Sequence, residues 1–155
     1  MTVWRGARWI IASMLVCLAA GCSDDEDDAR TPVLELATSG PGTCLDVPDS
    51  LGDTVADLPV IECAQPHTHE IYAVVTYDED DVFPGDEALN AFAERGCLAA
   101  FEPYVGVSVF DSTLSMTWLV PTLSSWNDDD DRDVLCVLAD FNAAPLRGSM
   151  KGSTR

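Results

Sequence analysis

The longest periodic pattern of apolar positions lies in the middle of the chain and predicts an amphipathic α-helix. Apolar or small residues recur at intervals of three and four, which places them on one helical face: Leu89, Phe92, Ala93, Gly96, Cys97, Ala100 and Phe101. Polar residues fall on the other side. Pro84 and the acidic residues after it suit a helix start, and Pro103 predicts the helix end. Cys97 should therefore point into the core.

Runs rich in β-branched and aromatic residues on either side of this helix predict strands. The clearest run is Glu70 to Tyr77, and shorter runs lie at 60–63, 116–120 and 134–138. Residues 45–59, rich in Asp, Pro and Gly, predict a loop with at most a short strand, and 127–132 predict a charged turn. Strands, then one helix, then strands indicate an α+β fold: a small antiparallel sheet with one main helix packed on a face. A β-sandwich is the competing fold, and the helical face argues against it.

The first 21 residues have the features of an export signal. Two arginines precede an apolar run over residues 9–20. This run is too short for a membrane span, which needs about 20 residues, and it matches the core of a secretory signal. It ends in Leu-Ala-Ala-Gly-Cys at 18–22, which resembles the lipobox of bacterial lipoproteins, although Ala19 stands where a larger aliphatic residue is commoner. We predict a lipoprotein signal peptide over 1–21 and acylation of Cys22. The alternative is an ordinary signal peptide with a chance cysteine.

The segment after Cys22 is distinguished by its negative charge. Residues 24–28 are all acidic, so they cannot pack a core, and we assign 22–40 to an acidic tether. The whole chain carries a formal charge of −19. Without residues 1–21, which hold two arginines and no acid, six cations face 27 acids, a charge of −21. Such a chain repels phosphates, so no nucleic-acid partner is expected.

The cysteines after the anchor predict two disulfides. Cys44, Cys63, Cys97 and Cys136 form an even set in an exported domain. Three pairings are open, and we favour Cys44 with Cys63 and Cys97 with Cys136. The first pair would join the N-terminal loop to the segment before a strand, and the second would join the helix to a strand. A thiolate metal site is the weaker alternative, because the chain has no C-x-x-C pair.

Candidate chemistry is concentrated at residues 63–72, where both histidines of the chain lie. His67 and His69 would share one face of an extended segment and could form a metal pair, with Glu70 pointing the other way. In the competing interpretation, Pro66 and His67 turn the chain into the strand, and the His67 imidazole bonds to backbone groups or to Glu70. We favour this structural interpretation and expect no bound metal and no cofactor.

Two other motifs are open to a functional interpretation. The aspartates at 128–131 could hold calcium, but they lack the alternation and the glycine of a calcium loop, so a solvated turn is favoured. Trp118 and Trp126 could form an aromatic binding patch. Core packing is favoured for Trp118, whereas Trp126 remains open between the two roles.

The sequence has no G-x-S-x-G elbow and no glycine-rich phosphate loop. We therefore predict no catalytic residues and no enzyme.

Six spaced motifs together resemble one known family. They are Gly42-Thr43-Cys44-Leu45, Cys63-Ala64-Gln65-Pro66-His67 with Glu70 and Tyr72, Phe83-Pro84-Gly85-Asp86, Cys97 with Phe101, Pro121 with Trp126 and Cys136, and Gly148-Ser149-Met150-Lys151-Gly152. The set is similar to the septum formation-related domain of actinobacterial exported proteins and lipoproteins, here over residues 41–152. The acidic stretch 127–132 departs from that pattern, in which a short Gly-Asp turn is commoner.

The resemblance implies a membrane-associated, extracytoplasmic domain with paired cysteines and no known catalytic activity. Its pattern includes Cys63, His67 and Glu70 but not His69. We therefore expect a lipid-anchored, non-enzymatic module on the outer face of the cell membrane. It would bind an envelope or division protein or a wall component, and the family label suggests a link to septum formation or envelope growth. The alternative is a metal-binding protein or small metal-dependent enzyme that uses His67 and His69.

Overall fold

A computed structural model describes residues 39–47, 58–79 and 81–155. The predicted signal peptide, Cys22 and nearly all of the tether therefore lie outside the described residues. Five strands are present: β1 (Thr43–Leu45), β2 (Val60–Ile61), β3 (His69–Thr76), β4 (Leu114–Leu119) and β5 (Asp133–Asp140). The helices are α1 (Asp86–Val105) and α2 (Leu123–Asp128), with a 3-10 turn at Val109–Asp111.

The strands form one antiparallel sheet in the order β2-β1-β3-β5-β4, and α1 packs on one face of it. This is the predicted α+β architecture. The face toward α1 carries the main core, which includes Tyr72, Phe101 and Leu138. Alternate residues of β5 reach the opposite face, where Leu135 and Val137 join a smaller cluster with Leu45, Leu58 and Ile71. Because β5 is buried on both faces, it is apolar almost throughout.

The helix α1 continues past the proline that was expected to end it. Pro103 lies inside the last turn, and the helix ends at Gly106, whose φ of 96° is left-handed and whose N–H donates to Glu102 O. A glycine takes this backbone conformation without steric cost. The prediction that Pro103 stops the helix was therefore wrong, because a glycine C-cap sets the end. The apolar face was right: Leu89, Cys97 and Phe101 are fully buried.

A β-bulge in β3 directs two successive side chains to the α1 side. The register with β5 shifts between Ile71 and Ala73, so that Tyr72 and Ala73 both pack in the main core. A bulge inserts one residue into a strand and re-aims its neighbours. The Tyr72 hydroxyl consequently reaches α1 and donates to Cys97 O at 2.9 Å. Burial raises the pKa of Tyr72, which keeps this hydroxyl a donor.

Both favoured disulfides are present. Cys44 of β1 pairs with Cys63 just beyond β2, and Cys97 of α1 pairs with Cys136 of β5. The second bond joins the helix to the central sheet within the main core, since both of its cysteines are 0% exposed. All four cysteines that follow Cys22 are thus used in two bonds.

Several short elements differ from the sequence expectations. The strand β1 lies in a stretch for which no strand was predicted before residue 45, and α2 occupies a stretch partly assigned to a charged turn, of which 129–132 remain irregular. Thr122 caps α2 through a reciprocal pair of hydrogen bonds with Ser125, a capping box built with serine. None of the helices in the described ranges combines the length and hydrophobicity of a membrane span.

Candidate functional site

Three polar groups from separate segments meet inside the domain at one end of the sheet. Cys44 of β1, His67 before β3 and Glu70 of β3 are each at most 1% exposed. One potential ligand atom of each lies within 4.8 Å of those of the other two. We call these three residues the buried triad. Within the described part of the chain, it is the one group of three or more His, Cys, Asp or Glu side chains close enough to hold a metal ion.

A bend in the backbone brings His67 to the same side as Glu70. The extended run begins only at His69, and Thr68 is a bend residue. His67 instead forms an isolated antiparallel bridge with Leu146, whose N–H donates to His67 O at 2.7 Å. The expectation that His67 and His69 face together and Glu70 faces away is therefore wrong, because the alternation of an extended strand does not continue through Thr68.

His69 lies apart from the buried triad. Its ring is half-buried, and its Nδ1 is 2.8 Å from the hydroxyl of Thr68. Burial lowers the pKa of His69, and the nearby Asp46 carboxyl partly opposes this. The geometry gives no support to a metal site that pairs His67 with His69.

The His67 ring is held by the backbone, as the structural interpretation expected. Its Nδ1 lies 2.9 Å from Gln65 O. A carbonyl oxygen only accepts, so Nδ1 carries the proton and donates. Nε2 is buried without a hydrogen-bond partner among the described residues. In the neutral ring, Nε2 then presents an unused lone pair inside the domain.

Glu70 is the centre of a hydrogen-bond network that the sequence analysis did not identify. Its Oε1 accepts from the hydroxyls of Tyr104 and Ser149, each at 2.6 Å. Its Oε2 accepts from the backbone N–H of Met150 at 2.7 Å. The side chain therefore joins β3 to the end of α1 and to residues 149–150. The Gly148–Gly152 motif signalled that this segment matters, but not that it binds Glu70.

Tyr104 remains a donor in this network at physiological pH. Burial, reinforced by the hydrogen bond to Glu70, raises its pKa to about 12, and the contact with Ser149 acts in the opposite direction. The deprotonated form would place a second negative charge beside a buried carboxyl group. The Tyr104 hydroxyl consequently keeps its role as a donor over the physiological range.

The other candidate residues serve structural purposes. Trp126 is 2% exposed, its indole N–H donates to Asp81 O, and the Arg132 guanidinium stacks on its ring at 3.8 Å from the centroid. Trp126 is therefore a core residue and not part of an aromatic binding patch.

Of the aspartates at 128–131, the first three are exposed and the last is half-buried, and Asp130 pairs with Arg132. They do not belong to the group that could hold a metal.

The chemistry open to the buried triad depends on Cys44. While Cys44 is bonded to Cys63, its sulfur is not a thiolate and cannot serve as a zinc ligand. Two donors then remain, His67 Nε2 and the Glu70 carboxyl group, which is too few for a protein zinc site. In the disulfide form, the triad is therefore a buried polar contact.

Comparison with known proteins places the chain in a family. The model of the family described as Septum formation matches residues 4–136. Proteins named Putative lipoprotein LppN from Mycobacterium tuberculosis and Mycobacterium bovis are each 31% identical over 115 residues, covering 65% of this chain and 61% of the relative. The chain thus spans about three fifths of the length of these curated relatives. No solved structure matches. The family match covers most of the chain, so the chain belongs to the septum formation family.

Proposed function

We propose that this chain is a lipoprotein, anchored through acylated Cys22 on the extracytoplasmic face of the cell membrane. Its folded domain is a non-enzymatic module that binds another envelope protein. The observation that carries the proposal is the use of all four cysteines after Cys22 in two disulfides. Bonds of this kind form and persist outside the reducing cytosol.

The sequence before the domain and the relatives support the anchor. The segment at 18–22 resembles a lipobox, and the relatives from both mycobacteria carry the word lipoprotein in their names. Acyl chains contribute roughly 0.8 kcal/mol per buried methylene, so more than one chain holds a protein firmly at a membrane. The acidic residues at 24–28 then act as a solvated spacer.

Anchoring is tested by expressing the full chain and Cys22→Ser in an actinobacterial host with an alkyne-labelled fatty acid. The native chain should incorporate the label and sediment with membranes. A protease added to intact cells stripped of their wall should degrade its domain. Cys22→Ser should lose the label. A native chain without label, or one protected from the protease, would refute the anchored, outward-facing arrangement.

The binding part of the proposal is supported by exposed aromatic side chains at one end of the sheet. Phe110 and Phe141 are 85% and 74% exposed, and the Phe141 N–H donates to Thr113 O, three residues after Phe110. The adjoining segment 145–155 contains three cations and no acid, although the chain as a whole is strongly acidic. Ser112 donates to Arg155 O, which brings the end of this segment beside the two aromatics.

This surface fits a protein partner that presents an apolar patch. Aromatic side chains are enriched in the core of protein interfaces, where a few residues carry most of the binding energy. A photo-crosslinking residue placed at position 141 of the full chain should yield one discrete protein adduct in cells. The same residue at position 123 is the matched control, since Leu123 is 56% exposed and follows the opposite end of β4.

The adduct is then tested with purified components. The partner identified by mass spectrometry should bind the full chain, and Phe141→Ala should weaken binding by at least about tenfold, as expected for an aromatic hot spot. Leu123→Ala should leave the affinity unchanged. Equal crosslinking from both positions, or an affinity unaffected by Phe141→Ala, would exclude this surface as the binding site.

A non-enzymatic role is supported by how the buried polar groups are used. The acceptor atoms of Glu70 bind Tyr104, Ser149 and the backbone of Met150, and Glu70 itself is 0% exposed. A general acid or base must reach the proton that it transfers. The network instead fixes the segment around Ser149 against the sheet.

A further inference from the structure

We propose that opening of the Cys44–Cys63 disulfide creates a zinc site formed by Cys44, His67 and Glu70. This site is distinct from the His67 and His69 pair considered from the sequence, and it does not depend on the proposed anchor or partner. The donor set, a thiolate, an imidazole and a carboxylate, is one that zinc accepts. Cys63, released in the same step, is a candidate donor for a fourth position.

The state of the His67 ring is the first observation behind this site. Nδ1–H donates to Gln65 O, so the lone pair is on Nε2, which is buried and has no partner within the described residues. Zinc-binding histidines commonly donate their other ring N–H to a backbone carbonyl in this way, which fixes the tautomer and the ring orientation. A buried polar atom without a partner costs free energy, and a metal ion would use its lone pair.

The charge around Glu70 is the second observation. Its three hydrogen-bond donors are the Tyr104 and Ser149 hydroxyls and the Met150 N–H, all of them neutral. The ion pairs found among the described residues join Arg132 to Asp130 and Arg155 to Asp140, and Glu70 is in neither. A buried carboxyl group without a cationic partner is expensive. A divalent cation at the buried triad would supply the missing positive charge.

The two disulfides differ in access, which makes selective opening feasible. Cys97 and Cys136 are both 0% exposed, and Cys44 is 1% exposed, whereas Cys63 is partly exposed. An incoming thiolate can therefore reach the Cys63 sulfur more readily than any of the other three. Attack there forms a mixed disulfide with Cys63 and releases Cys44 as a thiolate beside His67 and Glu70.

The overall step is a two-electron reduction by a dithiol. Its second thiol attacks the mixed disulfide and releases Cys63, so the dithiol becomes a disulfide while both cysteines become thiols. The Cys63 sulfur lies 3.4 Å from Gly42 O, an acceptor for its S–H once the bond is open. Zinc then displaces one proton from Cys44 and binds the neutral His67 ring, so uptake of the metal releases protons.

The test uses the full chain in detergent, opened with a water-soluble phosphine because dithiols themselves bind zinc. Intact mass should show a gain of two hydrogens, which indicates that one disulfide has opened, and peptide mapping should locate the free thiols at Cys44 and Cys63. Zinc titration should then give one ion per chain, and the untreated chain should bind none. Cobalt in place of zinc should show thiolate-to-metal absorption.

Variants identify the ligands. His67→Gln should weaken zinc binding by at least about tenfold, since removal of even an outer-shell partner costs that much. His69→Gln is the matched control and should bind as the native chain does. Glu70→Gln keeps the shape of the side chain and should also weaken binding. Circular dichroism of each variant separates loss of a ligand from loss of fold.

Three outcomes would overturn the proposal. The first is that the phosphine-treated chain takes up no zinc. The second is that His67→Gln and His69→Gln bind zinc with equal affinity. The third is that the treated and untreated chains take up equal amounts of zinc. Should reduction unfold the chain, zinc must restore the native circular dichroism spectrum. A failure to do so also counts against the site. None of these outcomes bears on acylation of Cys22 or on crosslinking from position 141.

Discussion

Individual buried residues help to determine this fold through the specific contacts that they make. His67 is 1% exposed and is held by Gln65 O on one side and by the backbone bridge to Leu146 on the other. The two histidines of the chain stand two positions apart, yet only His67 is part of the interior. This difference makes them a matched pair for measuring the effect of burial.

His67→Ala should lower the free energy of unfolding by about 2–3 kcal/mol, the cost of a large-to-small change at a filled buried site. His69→Ala should change it by less than about 1 kcal/mol, because the ring is half-buried and its bond is to the adjacent Thr68. Chemical denaturation of both variants with the disulfides intact measures these values. A larger loss for His69→Ala would contradict the assignment of His67 to the core.

Asp140 gives the chain a pH-dependent contribution to stability. Hydrogen bonds from the backbone N–H groups of Asn142 and Ala144, with help from Arg155, hold its pKa below the ordinary value. A carboxyl group whose pKa is lower in the folded state stabilises the fold fully above its unfolded pKa. That stabilisation is lost as the pH falls through the folded pKa.

Asp140→Asn should therefore lower the melting temperature at pH 7, and the difference from the native chain should shrink as the pH falls below the ordinary carboxyl pKa. Thermal unfolding followed by circular dichroism from pH 7 to pH 2 tests this. Asp129→Asn, at an exposed position, is the control and should leave the profile unchanged. A constant difference between Asp140→Asn and the native chain at every pH would contradict the proposed linkage.

For individual residues, the sequence indicated which positions are important. It did not indicate which residues they contact in the folded domain. The grouping of Cys63, His67 and Glu70 in one motif pointed to a polar structural site, and the backbone bond of His67 was expected. The partners of Glu70 were not, because Tyr104 and Ser149 lie 34 and 79 positions away. No local pattern of apolar and polar residues encodes a contact at that separation.

The point at which a secondary-structure element ends is set by the backbone conformation of a few residues. The helix α1 continues through Pro103, and Gly106 in a left-handed conformation ends it. A Cβ atom at Gly106 would also meet Thr154 Cγ2 at 3.2 Å. The end of α1 is thus coupled to the C-terminal segment, whose Thr154 N–H donates to Val105 O.

Gly106→Ala should destabilise the fold by about 1 kcal/mol or more, because a residue with a Cβ atom is strained at positive φ. Gly40→Ala is the matched control, since a Cβ atom there meets nothing within 4 Å and its φ is not positive. Chemical denaturation of the two variants should separate them clearly. Equal stability would show that the end of α1 is not under this backbone constraint.

Long elements were more predictable than short ones, although β2 lies within a predicted run. The apolar face of α1 and the β-favouring residues of β3 extend over enough positions to be recognised. In contrast, β1 has three residues, and its pairing with β3 and disulfide to Cys63 hold it in the sheet. Its three residues are too few to show a strand pattern. The strand β1 forms because of these tertiary contacts, which local sequence propensity does not indicate.

For the whole molecule, the contact between Glu70 and the segment around Ser149 joins the centre of the sheet to the end of the chain. Glu70→Gln would put an N–H group opposite either a hydroxyl donor or the Met150 N–H. The loss of a satisfied acceptor in the interior costs about 1–3 kcal/mol. We expect this change to loosen residues 145–155 before it unfolds the sheet.

Limited trypsin digestion measures that loosening directly. Cleavage after Arg147 and Lys151 should be several-fold faster in Glu70→Gln than in the native chain, while cleavage after Arg95 in α1 should be unchanged. Glu102→Gln, at an exposed position near the same end of α1, is the control. Uniform acceleration at all three sites would instead indicate global unfolding.

The long reach of this contact bears on how an exported chain acquires its structure. Ser149 and Met150 are 79 and 80 positions beyond Glu70, so the interior of the sheet stays incomplete until both parts of the chain are available for folding. A chain that is threaded through a membrane pore must remain unfolded while it moves. In the exported form that we propose, late closure of this kind would keep the chain unfolded while it is transported.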